Sequence, residues 1–172
     1  MTFTVRRLTR DDAADYRAIR LEALQDAPAS FGDTYEDAKA RPEPYWTALF
    51  EGERAIFGAF SGGTLVGIAN FMPVADTVSA HRGLLLGMYV SASARGQECG
   101  RALVVAVLDH AEANGFLQVH LGVSTHNDAA LRLYEAAGFA IYGTEPRGMM
   151  IAGAPIDRYL MVKFLDGYEW RR

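Results

Sequence analysis

The chain has 172 residues, of which 50% are hydrophobic and 22% are charged, a composition that supports one buried core and excludes a disordered protein. Its one cysteine, Cys99, excludes an intramolecular disulfide. The net charge of -4, from 17 basic and 21 acidic side chains, argues against nucleic acid or an anionic membrane surface as a partner.

The first predicted elements are a strand over residues 3–8 and a helix that ends near Asp26. The strand is predicted from alternation, and Asp11 or Asp12 is the candidate N-cap of the helix. The apolar side chains of this helix recur at helical spacing until Pro28 prevents its continuation. Residues 29–44 are expected to be irregular, and a short helix is expected over residues 45–50.

Three strands are predicted next. Residues 55–60 and 65–71 are β-rich, and the paired glycines between them favour a tight hairpin turn. Residues 84–90 are apolar on both faces, which indicates a central strand. A helix over residues 100–114 follows and ends at Gly115.

The C-terminal part is predicted to contain a strand at residues 118–123, a helix capped by Asn127 or Asp128 and ended by Gly138, and strands near 139–142 and 159–165. This order indicates an α/β fold with a mixed sheet. We expect one domain over residues 1–172, with residues 166–172 as a C-terminal tail. The longest apolar runs are too short to cross a bilayer and no secretion signal is evident, so a cytoplasmic location is expected.

The segment between the central strand and its helix has the features of an anion site. Residues 91–101 lead directly into the helix, so unpaired N–H groups and the positive end of the helix dipole lie together. Gly96 and Gly100 allow close approach to the backbone, and Arg95 and Arg101 add positive charge. An ordinary loop with a helix cap is the alternative.

This loop resembles the pyrophosphate loop of the GNAT superfamily of acyl-CoA-dependent N-acyltransferases, which reads Arg/Gln-x-x-Gly-x-Gly/Ala. Arg95 and Gly100 fit that pattern, whereas Glu98 stands where the superfamily usually has its first glycine. Residues 127–139 are similar to a second pattern of the superfamily, Asn-x-x-Ala-x-x-x-Tyr-x-x-x-Gly-Phe. The likeness extends over the order of elements from Phe3 to about Leu165.

The resemblance implies a single-domain fold with a mixed central sheet of about seven strands, four helices and central strands that splay at the CoA site. It implies acetyl-CoA as co-substrate and no metal, and the scattered histidines agree because they lack zinc-ligand spacing. The cofactor-binding residues it implies are Met88, Tyr89, Val90, Arg95, Gly96, Gln97, Glu98, Cys99, Gly100, Arg101, Asn127 and Tyr134.

Two of these residues have specific expected roles. The resemblance places Tyr134 near the thioester sulfur as general acid to the thiolate, and a phenol is protonated at neutral pH. Spacing alone favours a different explanation, in which Tyr134 is a core aromatic side chain of its helix, and the resemblance reverses that preference. Asn127 is expected to cap that helix and to lie near the pantetheine arm.

The acceptor side is less defined by the sequence. Glu36 is the tentative general base, with Glu22 and Tyr89 as alternatives. Residues 26–43 carry an acidic excess that would attract an ammonium substrate, or that forms only a solvated loop.

The expected function is transfer of an acetyl group from acetyl-CoA to a primary amine of a small molecule, amino acid or peptide by direct attack. The alternative is a catalytically weak acyl-CoA-binding or regulatory module of the same fold, motivated by Glu98. No nucleic acid or membrane partner is expected, and a homodimer is left open.

Overall fold

A computed structural model describes residues 3–170 of the chain. They contain one seven-stranded sheet with the spatial order β1-β2-β3-β4-β5-β7-β6. Only β4 and β5 are parallel neighbours, and the other pairs are antiparallel. The strands are β1 (Thr4–Arg7), β2 (Ala55–Ser61), β3 (Thr64–Pro73), β4 (Arg82–Val90), β5 (Gln118–Ser124), β6 (Ala140–Ile151) and β7 (Ala154–Phe164). The predicted mixed α/β sheet is thereby confirmed.

The described residues contain five α-helices, one more than the sequence predicted. The additional helix is α2, whose N-cap Thr34 accepts a hydrogen bond from the Asp37 N–H at 3.1 Å. None of the helices in residues 3–170 is long and apolar enough to cross a membrane. The helices are α1 (Ala13–Asp26), α2 (Tyr35–Ala40), α3 (Glu43–Ala48), α4 (Cys99–Ala113) and α5 (Asp128–Ala136).

The sheet separates two apolar layers. Strand alternation sends Phe57 of β2 to the layer that α4 and α5 cover and Ile56 to the layer that α1, α2 and α3 cover. On β3 the same alternation sends Phe71 to the first layer and Ile68 to the second. Each face of the sheet therefore supports its own set of helices.

Strand β4 contains a bulge. Ile68 pairs with Tyr89 and Asn70 pairs with Leu86, so two residues of β4 lie opposite one residue of β3. Gly87, one of the two, has a φ of +57°, and a Cβ there would lie 2.7 Å from the Asn70 Nδ2. The bulge therefore requires glycine at this position, and it turns the rest of β4 relative to β3.

Pairing between β4 and β5 covers only three residues of each strand and ends at Leu84 and His120. Beyond this point the two strands diverge in the described structure, whereas β5 stays paired with β7 through Ser124. The separation leaves a split between the carboxyl ends of two parallel strands. The resemblance implies such a splaying of the central strands.

Candidate functional site

The split lies between two strand ends that lead into helices. Strand β4 ends at Val90 and leads through a 3-10 turn, Ala92–Ala94, into α4. Strand β5 ends at Ser124 and leads into α5. Both helices therefore begin near the split, where their unpaired N–H groups are available to a ligand.

The loop before α4 presents consecutive unpaired donors. Within residues 3–170, the backbone N–H groups from Gly96 to Arg101 donate to no acceptor, and the first bond of α4 runs from Ala102 N–H to the Glu98 carbonyl at 3.0 Å. Gly96 has a φ of +70°, and open space lies where a side chain would begin. Glu98 is also left-handed, with a φ of 66°. The arrangement suits a multiply charged anion such as a pyrophosphate.

The two arginines of the loop are already engaged. The Arg95 guanidinium forms an ion pair with Asp26 of α1 and donates to the Val90 carbonyl at 2.9 Å. Arg101 is paired with Glu98 at 3.1 Å, and both side chains are more than 70% exposed. The anion site is therefore formed mainly by backbone donors. Gln97, also predicted, donates from its side chain to the Ser93 carbonyl at 3.0 Å.

The inner side of the loop is packed against β4 and α5. Cys99 is 1% exposed, and burial raises the pKa of its thiol, so it behaves as a small apolar side chain. A Cβ on Gly100 would lie 3.2 Å from Leu133 and 3.3 Å from Met88. Met88 and Val90 thus face the α4 side of the sheet, whereas Tyr89 faces the α1 side.

Two further predicted site residues belong to α5: Tyr134 lies within the helix and Asn127 is its N-cap. Tyr134 is 7% exposed and packs edge-to-face on Phe139, with a ring separation of 5.9 Å. Its hydroxyl forms no hydrogen bond within residues 3–170, and burial raises the pKa of the phenol. Asn127 caps α5 by accepting from Ala130 N–H at 3.1 Å and donates to Ser30 at 3.3 Å.

On the other face of β4, Tyr89 joins a polar cluster at α1. Its hydroxyl lies 3.0 Å from Glu22 Oε1 and 3.1 Å from Asp26 Oδ2. Burial, followed by the bond to Glu22, raises the pKa of Tyr89, so the phenol keeps its proton at neutral pH. Hydrogen bonds from Arg95 and Tyr89 hold the pKa of Asp26 below its ordinary value. Glu36, the tentative base, is exposed on α2 and is not part of this cluster.

Most carboxylates of the acidic segment 26–43 have partners within the protein. Asp26 binds Arg95, Asp33 binds Arg41 through both oxygens at 2.6 and 3.0 Å, and Asp37 binds the hydroxyl of Thr34 at 2.6 Å. Ion pairs therefore neutralise Asp26 and Asp33, whereas the neutral hydroxyl of Thr34 leaves the charge of Asp37 in place. Glu36 and Glu43 form no ion pair within residues 3–170, so part of the predicted acidic excess remains.

A cavity of about 220 Å³ adjoins β4 on the α1 side. It begins at the bulge, just beyond the point where β4 separates from β5. Sequence reasoning did not single out this set of residues, because they come from several separate elements and loops and share no local pattern. The lining residues are Tyr16, Arg20, Asp33, Arg41, Tyr45, Trp46, Leu49, Arg54, Asn70, Leu86 and Gly87.

Comparison with protein families identifies a match to the Acetyltransferase (GNAT) family model over residues 16–139. The chain is 36% identical over 135 residues to the mycothiol acetyltransferase of Thermobispora bispora, covering 76% of this chain and 43% of that protein. It is 36% identical over 125 residues to the N-alpha-acetyltransferase RimI of Mycobacterium tuberculosis, covering 69% of this chain and 75% of that protein. The chain thus spans less than half of the first relative and three quarters of the second.

Solved structures show the same fold at lower identity. A putative acetyltransferase from Salmonella typhimurium, solved with acetyl-CoA, superposes with a TM-score of 0.83 at 21% identity and covers 100% of this chain and 99% of that one. A phosphinothricin acetyltransferase from Sinorhizobium meliloti, in complex with acetyl-CoA, gives a TM-score of 0.84 at 22% identity, with 96% and 89% covered.

Proposed function

Because the chain belongs to the acetyltransferase (GNAT) family, we propose that it transfers an acetyl group from acetyl-CoA to a primary amine of a small molecule, amino acid or peptide. The observation that carries this proposal is the run of unpaired N–H groups from Gly96 to Arg101, next to a split between parallel strands. The relatives named above are acetyltransferases, which supports the same reaction. The cytoplasmic location, the homodimer and the single transferase domain over 1–172 stay predictions.

The residues of the loop fit the pyrophosphate of acetyl-CoA. Backbone donors of residues 96–101 would hold the phosphate oxygens, with the start of α4 adding favourable dipole charge. The backbone of residues 88–90 and Asn127 would line the arm that leads into the split. When bound, acetyl-CoA supplies an acyl group already activated as a thioester, so the protein needs no nucleophile of its own.

Tyr134 is proposed as the acid that protonates the leaving thiolate. The buried phenol keeps its proton because burial raises its pKa, and its hydroxyl is not committed to another partner in residues 3–170. A proton donor with an uncommitted hydroxyl suits this role.

An alkylammonium acceptor must lose a proton before it attacks, so a base is required. The sequence favours Glu36, with Glu22 and Tyr89 as alternatives. The contacts support Glu22, because its carboxylate accepts from Tyr89 on β4, whereas Glu36 lies exposed on α2. Comparison of Glu22→Gln with Glu36→Gln tests the choice: a fall in kcat/KM of roughly tenfold or more is expected for Glu22→Gln alone. A larger fall for Glu36→Gln would return the role to Glu36.

The reaction itself is tested by thiol release from acetyl-CoA with a panel of amines. A ligand that binds only the native state raises the melting temperature, so acetyl-CoA should do so and inorganic phosphate at the same concentration should do so much less. No shift at millimolar acetyl-CoA, or no thiol release above the amine-free rate, would contradict the proposal. Binding without release would instead support the acyl-CoA-binding module.

A further inference from the structure

The cavity beside the β4 bulge has an unusual excess of hydrogen-bond donors. Three arginines and one aspartate line it, and the aspartate, Asp33, is bound through both oxygens by Arg41. Arg20 and Arg54 form no ion pair with any residue in 3–170. The cavity therefore keeps a net positive charge that the described protein does not neutralise.

Two buried donors of the lining have no acceptor. Only three buried side-chain nitrogen or oxygen atoms in residues 3–170 lack a partner, and two of them, Arg20 Nη1 and Trp46 Nε1, belong to this cavity. Trp46 is 2% exposed, so solvent does not readily satisfy its indole N–H. Burial of a donor without an acceptor is unfavourable, because the donor loses its hydrogen bonds to water, so such groups in a native fold call for an explanation.

The acceptor atoms nearby are already used. Asn70 Oδ1 lies 3.2 Å from the Tyr16 hydroxyl, and the Leu86 carbonyl accepts from Asn70 Nδ2 at 3.3 Å. Neutralising the charges of Arg20 and Arg54 therefore requires an anion that is not part of the described protein. Guanidinium groups bind carboxylate and phosphate oxygens through paired N–H donors, and they hold these anions better than neutral acceptors.

From these observations we propose that the amine acceptor carries an oxyanion, a carboxylate in the first instance, and that this group binds Arg20 and Arg54 in the cavity. The proposal rests on the proposed acetyl transfer and names the substrate class for it. At about 220 Å³ the cavity is smaller than sites for drug-sized ligands, which suits one arm of a small molecule. Gly87 and Leu86 form its wall on β4, so the amine at the other end of the acceptor would lie toward the split.

The carboxylates around the cavity do not reverse this charge. Glu51 and Glu53 lie in a shallow neighbouring depression with Arg54, and Glu51 is 3.8 Å from Arg10. Both glutamates are exposed, so water and salt screen them. Arg20 and Arg54 also act on Tyr16, where they oppose the effect of burial on the pKa of that phenol.

The test compares two acceptors that differ in one group, β-alanine and β-alaninamide. The amide lacks the negative charge and turns an NH2 donor, in place of an acceptor oxygen, toward the arginine N–H groups, so kcat/KM for β-alanine should be higher by about tenfold or more. Aminoethylphosphonate reports whether a phosphate-like oxyanion serves equally. Equal kcat/KM values for β-alanine and β-alaninamide would overturn the proposal.

Variants locate the effect in the cavity. Arg54→Met and Arg20→Gln should each reduce the ratio of the two kcat/KM values toward one. Arg17→Gln removes an exposed arginine of α1 that does not line the cavity, and it should leave the ratio unchanged. Thermal melts show whether each variant is folded. If one of the two cavity variants does not fold, the other still tests the proposal. A ratio that survives both cavity variants would place recognition elsewhere and overturn the proposal.

Binding of glutarate, with glutaramide as its neutral counterpart, separates this proposal from the proposed reaction. Calorimetric titration needs no acyl transfer, so it reports on the cavity if every amine fails to release thiol. Tighter binding of glutarate that Arg54→Met weakens by about fivefold or more would keep the anion site while the transferase proposal fails. Equal affinity for glutarate and glutaramide would then overturn the anion site as well.

Discussion

The ring and the hydroxyl of Tyr134 point to different roles, the ring to packing and the hydroxyl to catalysis. The side chain is 7% exposed and packs on Phe139, as a core aromatic does. Its hydroxyl, however, satisfies no other group in residues 3–170. Removal of that oxygen alone therefore separates the two roles.

We expect Tyr134→Phe to lower kcat by roughly tenfold to several hundredfold, with a smaller change in the KM for acetyl-CoA, because a proton donor is lost. The free energy of unfolding should change by less than about 0.5 kcal/mol, since no hydrogen bond is broken. Steady-state kinetics and urea denaturation measure both quantities. An unchanged kcat, with chemistry shown to limit the rate, would assign Tyr134 to packing only.

Glu98 occupies a backbone conformation that suits glycine. Its φ of 66° lies in the left-handed region, which costs a residue with a Cβ about 1–2 kcal/mol. The resembled pattern has glycine at this position, and the geometry of the loop supplies the reason. We expect Glu98→Gly to increase the free energy of unfolding by up to about 1 kcal/mol, measured by urea denaturation.

Glu98→Gln is the matched control, because it removes the charge and keeps the Cβ. It should leave the strain in place and release Arg101 from its exposed ion pair, so stability should change little. The affinity of the Glu98→Gln variant for acetyl-CoA should rise a few-fold at low salt and less at high salt, because a carboxylate that repels the pyrophosphate is removed. Equal gains in stability for both variants would show that charge, rather than backbone strain, is the cause.

At the scale of elements, one ion pair joins β1 to the turn that starts α1. Arg6 holds both carboxylate oxygens of Asp12, at 2.8 and 2.7 Å, and Asp12 also accepts from Thr9 N–H at 2.8 Å. These contacts, led by the Arg6 hydrogen bonds, lower the pKa of Asp12 from 3.8 to about 2. The N-terminal strand and the first helix thus depend on the ionised form of Asp12.

We expect Asp12→Asn to lower the free energy of unfolding by about 1–2 kcal/mol at neutral pH. A carboxyl whose pKa is lower in the folded state stabilises the fold above its unfolded pKa. The difference between wild type and variant should therefore persist down to about pH 4 and disappear as the pH falls toward 2. Asp11→Asn, on the exposed neighbour, should have little effect. A difference that stays constant down to pH 2 would contradict the assigned ion pair.

The elements with strong periodicity were predictable, and those without it were not. Helices α1 and α4 and strands β2 to β5 lie close to their predicted bounds because they bury a repeating apolar face. Helix α2 was missed, since Ala38 is the only buried residue among its six and no stripe results. Strand β6 extends far beyond residue 142 because an irregularity in its pairing between Glu145 and Met149 accommodates Pro146 and Gly148.

Within the candidate site, the unpaired backbone donors of the loop could be predicted from the sequence, whereas the directions of its side chains could not. A glycine-containing segment between a strand and a helix predicts unpaired donors from local sequence alone. Arg95 turns to Asp26, which is 69 residues away along the chain, and local sequence carries no signal for such a pair. The cavity arginines likewise meet only through the packing of α1 and the loops near α3 against β4.

At the scale of the whole molecule, the sheet consists of two halves with a short connection. Strands β1 to β4 form one half and β5, β7 and β6 form the other. Three residue pairs, from Arg82–Gln118 to Leu84–His120, join them. Packing of α4 on the apolar layer beneath it adds to this connection, as do the hydrogen bonds from Leu117 N–H to the His81 carbonyl and from Asn127 to Ser30.

This short seam has a consequence for cooperativity. Two halves that share few backbone bonds can open as separate units with different free energies, which amide hydrogen exchange resolves. A ligand that lies in the split touches both halves, so it should couple their opening and slow exchange in residues 85–90 and 121–124 more than in β2. Mass spectrometry with and without acetyl-CoA measures this, and uniform slowing across all seven strands would contradict it. If exchange slows selectively in these two segments, bound acetyl-CoA joins β4 to β5 where their backbones do not pair, and the free energies at which the two halves open become more alike.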